Sequence, residues 1–315
     1  MILHMRKSIL FLSLIVISLQ TFSWGFYAHR LINFQAVFLL PPEMLAFFKP
    51  HIAYLREHAV DPDRRRYMVA GEGPRHFIDL DHYKTDSLPS GWKSALERFP
   101  EDSLQQHGIL PWWLQTMQYR LTKAFREKQP DNILKLAADI GHYIGDGHVP
   151  LHACSNYDGQ FTNQRGIHAL WESALPELLA EEQWQLYTSR AAYWQQPALF
   201  FWQFIRESSL AVDTVLECER NLAAAFPPDT RYSFMERNGK LQKQITPAFA
   251  MAYHEAMNEL TERRLKQSIQ AVASSWYTAW VDAGQPDLKV LLKDSLQPEV
   301  AEKVAQLNLL WLKEN

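Results

Sequence analysis

Four stretches of this chain repeat apolar residues at helical spacing, and strict alternation with period two is rare. Ser103 to Glu127 carries Leu104, Ile109, Leu110, Trp113, Leu114, Met117, Leu121 and Ala124 near that spacing. Asp131 to Ile144 carries Ile133, Leu134, Leu136, Ala137, Ile140 and Tyr143, and Asp131 after Pro130 can cap the helix. Pro247 to Ala283 is periodic up to Gly284 and Pro286, which read as a helix stop. Gln297 to Leu312 predicts a last amphipathic helix. Only 12 of the 315 residues are Gly, so positions that favour turns are few. The expected fold is all-α, one domain, with long loops at 60–75 and 153–166. A formal net charge of −3 excludes a global basic field for long nucleic acid.

The N-terminus reads as a secretory signal peptide over residues 1–23. Arg6 and Lys7 precede an apolar run from Ile9 to Leu19 that only Ser13 and Ser18 interrupt. Thr21 and Ser23 are small residues at the −3 and −1 positions of a cut before Trp24. The run is shorter than the roughly 20 residues that span a bilayer. The expected location is secreted or periplasmic, where Cys154 and Cys218 could pair.

The chemistry concentrates between Gly141 and Glu172, in GHYIGDGHVPLH and GIHALWE. His142 and Asp146 lie four apart, and so do His168 and Glu172. On a helix each pair projects from one face and makes a rigid two-point clamp for a metal. His152 follows just past Pro150, where the first helix should break. Imidazole with carboxylate favours zinc, though ligand type alone leaves iron and manganese open. WGFYAH adds His29 and, after cleavage, the free amine of Trp24. The segment from Asp61 to His76 adds two more candidate ligands.

Taken in order, Trp24, His29, Asp61, His76, His142, Asp146, His152, His168 and Glu172 resemble the superfamily of zinc-dependent phospholipase C and the fungal single-strand nucleases. The resemblance runs from WGFYAH to RRLKQSIQAVASSWYTAW. It implies a single α-helical trinuclear zinc hydrolase domain over 24–315. Asp61, His76, His142 and Asp146 then form the first site, and His152, His168 and Glu172 the second. The Trp24 amine and carbonyl, His29 and a shared Asp146 form the third. Three divalent ions outweigh three carboxylates and attract a phosphate ester. The implied reaction is phosphodiester hydrolysis by a metal-bound hydroxide, with Asp61 and Asp146 as catalytic residues.

Glu172, the short gap from His152 to His168 and the absence of a Gly-Gly-Asn segment resemble the phospholipase branch. The Trp24 to His29 step, and Asp61 followed by Arg64 as D-x-x-R with a phosphate-gripping Arg, resemble the nucleases. The expected substrate is a phospholipid, at a transient membrane surface, or single-stranded nucleic acid. No stable protein partner is expected. A non-catalytic secreted binding protein on the same fold is the reading from another class. His148 reads as either a support of the site or a surface residue. His51, His58, His82, His107 and His254 match no motif, and Trp112, Trp113, Trp276 and Trp280 read as core.

Overall fold

A computed structural model describes residues 25–293 except 67, 84–87 and 238–239. The signal peptide expected over 1–23, Trp24 and the helix expected over 297–312 lie outside the described residues. The chain is mostly helical. Five helices frame the site: α1 (Phe26–Val37), α2 (Leu110–Arg126), α3 (Pro130–Gly147), α4 (Pro197–Leu210) and α5 (Leu260–Asp282). Helix α5 packs across α1, α2 and α3, while α4 covers α2 and the turn Pro150–Ala153. A two-stranded antiparallel hairpin, β1 (Tyr232–Arg237) with β2 (Lys240–Ile245), pairs Tyr232 with Ile245. Its strands lack clean alternation, so periodicity did not indicate it. No helix among the described residues is long and apolar enough to cross a membrane.

Polar side chains pin the core helices to one another. Gln118 on α2 donates to the Ser275 carbonyl on α5 at 3.0 Å, and the Ser275 hydroxyl donates back at 2.6 Å. Trp276, fully buried, stacks on Phe48 and donates from Nε1 to the Ala137 carbonyl on α3 at 3.1 Å. Helix α1 settles into a groove on α3 made by two glycines one turn apart. A Cβ on Gly141 would lie 2.0 Å from Asn33 Oδ1, and one on Gly145 would lie 3.0 Å from His29 Nδ1. The absence of those two side chains is what lets His29 approach Asp146.

Two expected helices are each broken, for different reasons. The stretch over 103–127 stops at Gln106 and restarts at Leu110. Gly108 sits at φ +85°, in the left-handed region that suits glycine, and Pro111 starts the next helix. The freed backbone binds another segment: Ile109 N–H donates to the Pro74 carbonyl at 2.7 Å, and Asp79 N–H to the His107 carbonyl at 2.8 Å. That pairing fixes the strip carrying His76. The stretch over 247–283 breaks at Asn258 and Glu259, at φ +51° and +58°, with no Gly or Pro to announce it. The expected loop over 60–75 contains a helical turn, Asp61–Arg65, while 153–166 is irregular as expected. Cys154 and Cys218 are both free thiols, and burial pushes the Cys154 thiol up to about 12.

Candidate metal centre

His142 and Asp146 sit one turn apart on α3, both fully buried. His142 Nδ1 bonds the Ala59 carbonyl at 2.9 Å. A carbonyl only accepts, so Nδ1 carries a hydrogen, and Nε2 is the ring atom left to bind either a proton or a metal. That Nε2 lies 3.1 Å from His76 Nδ1, 3.3 Å from Asp146 Oδ2 and 3.6 Å from Asp63 Oδ1. His76 Nδ1 is 2.9 Å from Asp146 Oδ2 and 3.7 Å from Asp63 Oδ1. A tetrahedral ion with bonds of about 2.1 Å separates its ligands by about 3.4 Å. Asp63, His76 and His142 therefore fit one ion, and Asp146 Oδ2 lies within reach of both histidines. Burial alone would lower the His142 pKa, but Asp146 and Asp63 outweigh it and raise it to about 9. The cluster attracts positive charge.

The aspartate in that group is Asp63, and this corrects the assignment of Asp61. Within the turn Asp61–Arg65 the two lie about 200° apart at 3.6 residues per turn. Asp61 faces outward, where it accepts from His58 Nδ1 at 2.5 Å and from Arg64 at 3.0 Å. Asp63 faces inward, and its Oδ2 is buried with no hydrogen-bond partner. Arg64, the expected phosphate residue, is thereby committed to Asp61. Asp63→Ala should lose bound metal and Asp61→Ala should keep it, as metal analysis of both purified variants would read. Retention by Asp63→Ala would reverse the assignment.

The second group comes together as expected. His152 Nδ1 bonds the His76 carbonyl at 2.6 Å, and His168 Nδ1 bonds the Tyr157 carbonyl at 2.8 Å. Both Nε2 atoms are then lone-pair atoms, and they face each other at 3.1 Å. Glu172 Oε2 lies 3.0 Å from His168 Nε2 and 3.5 Å from His152 Nε2, and neither carboxylate oxygen is aligned for a hydrogen bond. Three acceptors converging in a buried space repel one another unless a proton or a metal ion sits among them. Glu172 lies on a π-helical segment, Leu170–Ala174, just before Pro176. Such local bulges recur at functional sites.

His29 supplies the start of a third group. Its Nε2 is 3.4 Å from Asp146 Oδ1, the oxygen opposite the one facing His76 and His142. Its ring stacks on His142 at 3.8 Å, and neither ring nitrogen has a hydrogen-bond partner. Asp146 thus faces two groups at once, and its carboxyl is held well below the usual range. Burial opposes ionisation there, and His142 and His152 outweigh it. Gly25, the first described residue, donates its N–H to the Glu172 carbonyl at 3.1 Å. The chain following the expected cut therefore starts against the second group.

Glu72 carries a role that the spacing did not reveal. It is fully buried, accepts from Tyr143 and from Arg75 at 2.7 Å, and lies 3.7 Å from His76 Nε2. His142, His152 and His168 turn Nε2 inward; His76 turns Nδ1 inward and leaves Nε2 toward Glu72. At 3.7 Å this is an ion-pair separation rather than a hydrogen bond, and it favours that ring orientation electrostatically. The only signal was its position four before His76, in a segment read as loop. His148 is buried and structural: its ring stacks on Phe204 at 4.3 Å and its carbonyl accepts from Arg264 at 3.1 Å. Trp112 and Trp276 are core residues as expected, while Trp113 is half-buried beneath Arg75 and Arg120.

The chain matches no protein-family model and no curated protein sequence.

Proposed function

We propose that this chain is a secreted, zinc-dependent phosphodiesterase of the phospholipase C type. The observation that carries the reading is the Asp146 carboxylate. One of its oxygens faces His76 and His142 and the other faces His29, with His152, His168 and Glu172 forming a separate group. Two groups that share one carboxylate and a third group apart from it are what the trinuclear reading of the motifs requires. Asp63, His76, His142 and Asp146 would hold one ion; His152, His168 and Glu172 a second; His29, Asp146 and the Trp24 amine a third. Zinc held there supplies Lewis acidity toward water and phosphoryl oxygens.

The chain's own residues do the positioning. Backbone carbonyls hold His142, His152 and His168 with Nε2 inward, so these three rings need not turn on binding. Arg66 is the candidate phosphate residue. The D-x-x-R spacing that gave Arg64 from Asp61 gives Arg66 from Asp63. Arg64 pairs with Asp61 and Arg65 with Asp139, but Arg66 has no carboxylate partner among the described residues. Its half-buried side chain lies against Gly73, at the start of the turn Gly73–His76. A free guanidinium there suits a phosphate oxygen.

The preference for a phospholipid rests on Glu172 and on the short gap between His152 and His168. With a formal net charge of −3, a long nucleic acid gains little electrostatic help from the chain as a whole. The test uses exported, zinc-loaded protein on phosphatidylcholine micelles and on single-stranded DNA and RNA. Phosphocholine should be released faster than nucleotides. Release of 5′-nucleotides without phosphocholine would move the protein to the nuclease branch. Loaded protein that cleaves none of them would leave the non-catalytic binding protein.

A further inference from the structure

A cavity of about 630 Å³ opens between α2 and α3, on the far side of Glu72 from His76. None of the candidate metal ligands lines it. Its charged side chains are unevenly matched. The cations are Arg65, Arg75, Arg120, Lys123 and Lys135, and the carboxylates are Glu72, Glu127 and Asp139. All three carboxylates are already paired: Asp139 with Arg65 at 2.9 Å, Glu72 with Arg75 at 2.7 Å, and Glu127 with Lys123 at 3.7 Å. Arg120 and Lys135 have no carboxylate partner at contact distance among the described residues.

Trp113 adds an aromatic face. Its indole lies 3.9 Å from the Arg75 guanidinium and 5.0 Å from that of Arg120, and its Nε1 is buried with no acceptor. Val69, Met117 and Leu136 make the remaining wall apolar. The volume is that of a small-molecule site.

The geometry points to a second binding site, separate from the metal centre, that takes a small organic phosphate with an apolar body. Two unpaired cations suit a dianion better than a single carboxylate. The apolar wall takes the rest of the molecule. Arg65 and Arg75 line the cavity and also pair with Glu72, so a ligand here would lie one side chain away from the back of His76.

Benzylphosphonate, which cannot be hydrolysed as an ester, is the probe. It would be titrated calorimetrically into zinc-loaded protein and into an Arg120→Gln, Lys135→Gln double variant. Both residues are exposed, so the variant should keep the wild-type zinc content and melting temperature. The expected result is loss of one binding event, or at least about a tenfold weaker one, on the scale of one lost charge-assisted contact. Lys135→Gln alone should weaken it in part, and added salt should weaken the wild type. Benzyl alcohol should not bind at the same concentration. A double variant that binds benzylphosphonate as the wild type does would overturn the site, as would equal binding of benzyl alcohol.

Discussion

On the proposed function, Asp146→Ala is expected to strip more than one zinc equivalent from the protein and to lower the proposed phosphodiesterase activity by about a thousandfold, the upper range for loss of one electrostatic transition-state stabiliser. The physical reason is that both carboxylate oxygens are engaged. Oδ2 is 2.9 Å from His76 Nδ1 and 3.3 Å from His142 Nε2, while Oδ1 is 3.4 Å from His29 Nε2. Removing the carboxylate takes a ligand from two groups and leaves three imidazoles facing one another in a fully buried space. Glu172→Ala is the matched control, since it is also fully buried but serves one group. It should cost one equivalent. Metal analysis of the two variants decides the matter: equal losses would mean that Asp146 does not bridge.

Removing zinc should lower the melting temperature, and the drop should widen as the pH rises. With free zinc a thousandfold above Kd, each site contributes about 4 kcal/mol, or roughly 8 °C at about 2 °C per kcal/mol in a chain of this size. The pH dependence follows from His142, whose pKa is raised to about 9 by Asp146 and Asp63 against the opposing effect of burial. In the metal-free protein a proton stands in for the ion. Its stabilising contribution is complete below the unfolded value of about 6.5 and is lost as the pH climbs toward 9. His168, raised by Glu172 against burial, has the same sign. Asp146 and Glu172 are lowered, so their contribution is lost only on acidification, below the unfolded carboxylate range near 4. Metal-free protein should therefore be less stable at pH 8.5 than at pH 6.5. Zinc must displace the His142 proton, so its affinity should be higher at pH 8.5 and its uptake should release protons. Equal zinc affinity at the two pH values would show that no such proton is displaced.

The i, i+4 pairs were legible because helix geometry is local. Once 131–144 and 167–172 are helical, His142 with Asp146 and His168 with Glu172 must share a face, whatever the rest of the chain does. His152 was legible as well, because Pro150 ends the helix beside it. Asp61 and Asp63 could not be told apart in the same way. They are two residues apart in a five-residue turn, and which faces inward depends on how that turn docks against α3. His58 and Arg64 hold Asp61 outward, and that leaves Asp63 for the site.

The reversed ring of His76 is likewise a tertiary result. It needs Glu72 behind it, and Glu72 is held by Tyr143 from α3 and by Arg65 and Arg75 from its own segment. The break at Gly108 shows the division most clearly. Period alone predicted one helix over 103–127. The long-range bonds from Ile109 to Pro74 and from Asp79 to His107 replace the intrahelical bonds given up there and set the position of His76. Local pattern determined which side chains could be ligands together on one helix. Contacts between segments far apart in sequence decided which aspartate joined them and which way the histidine turned, because a buried polar group takes whichever partner the folded chain brings within reach.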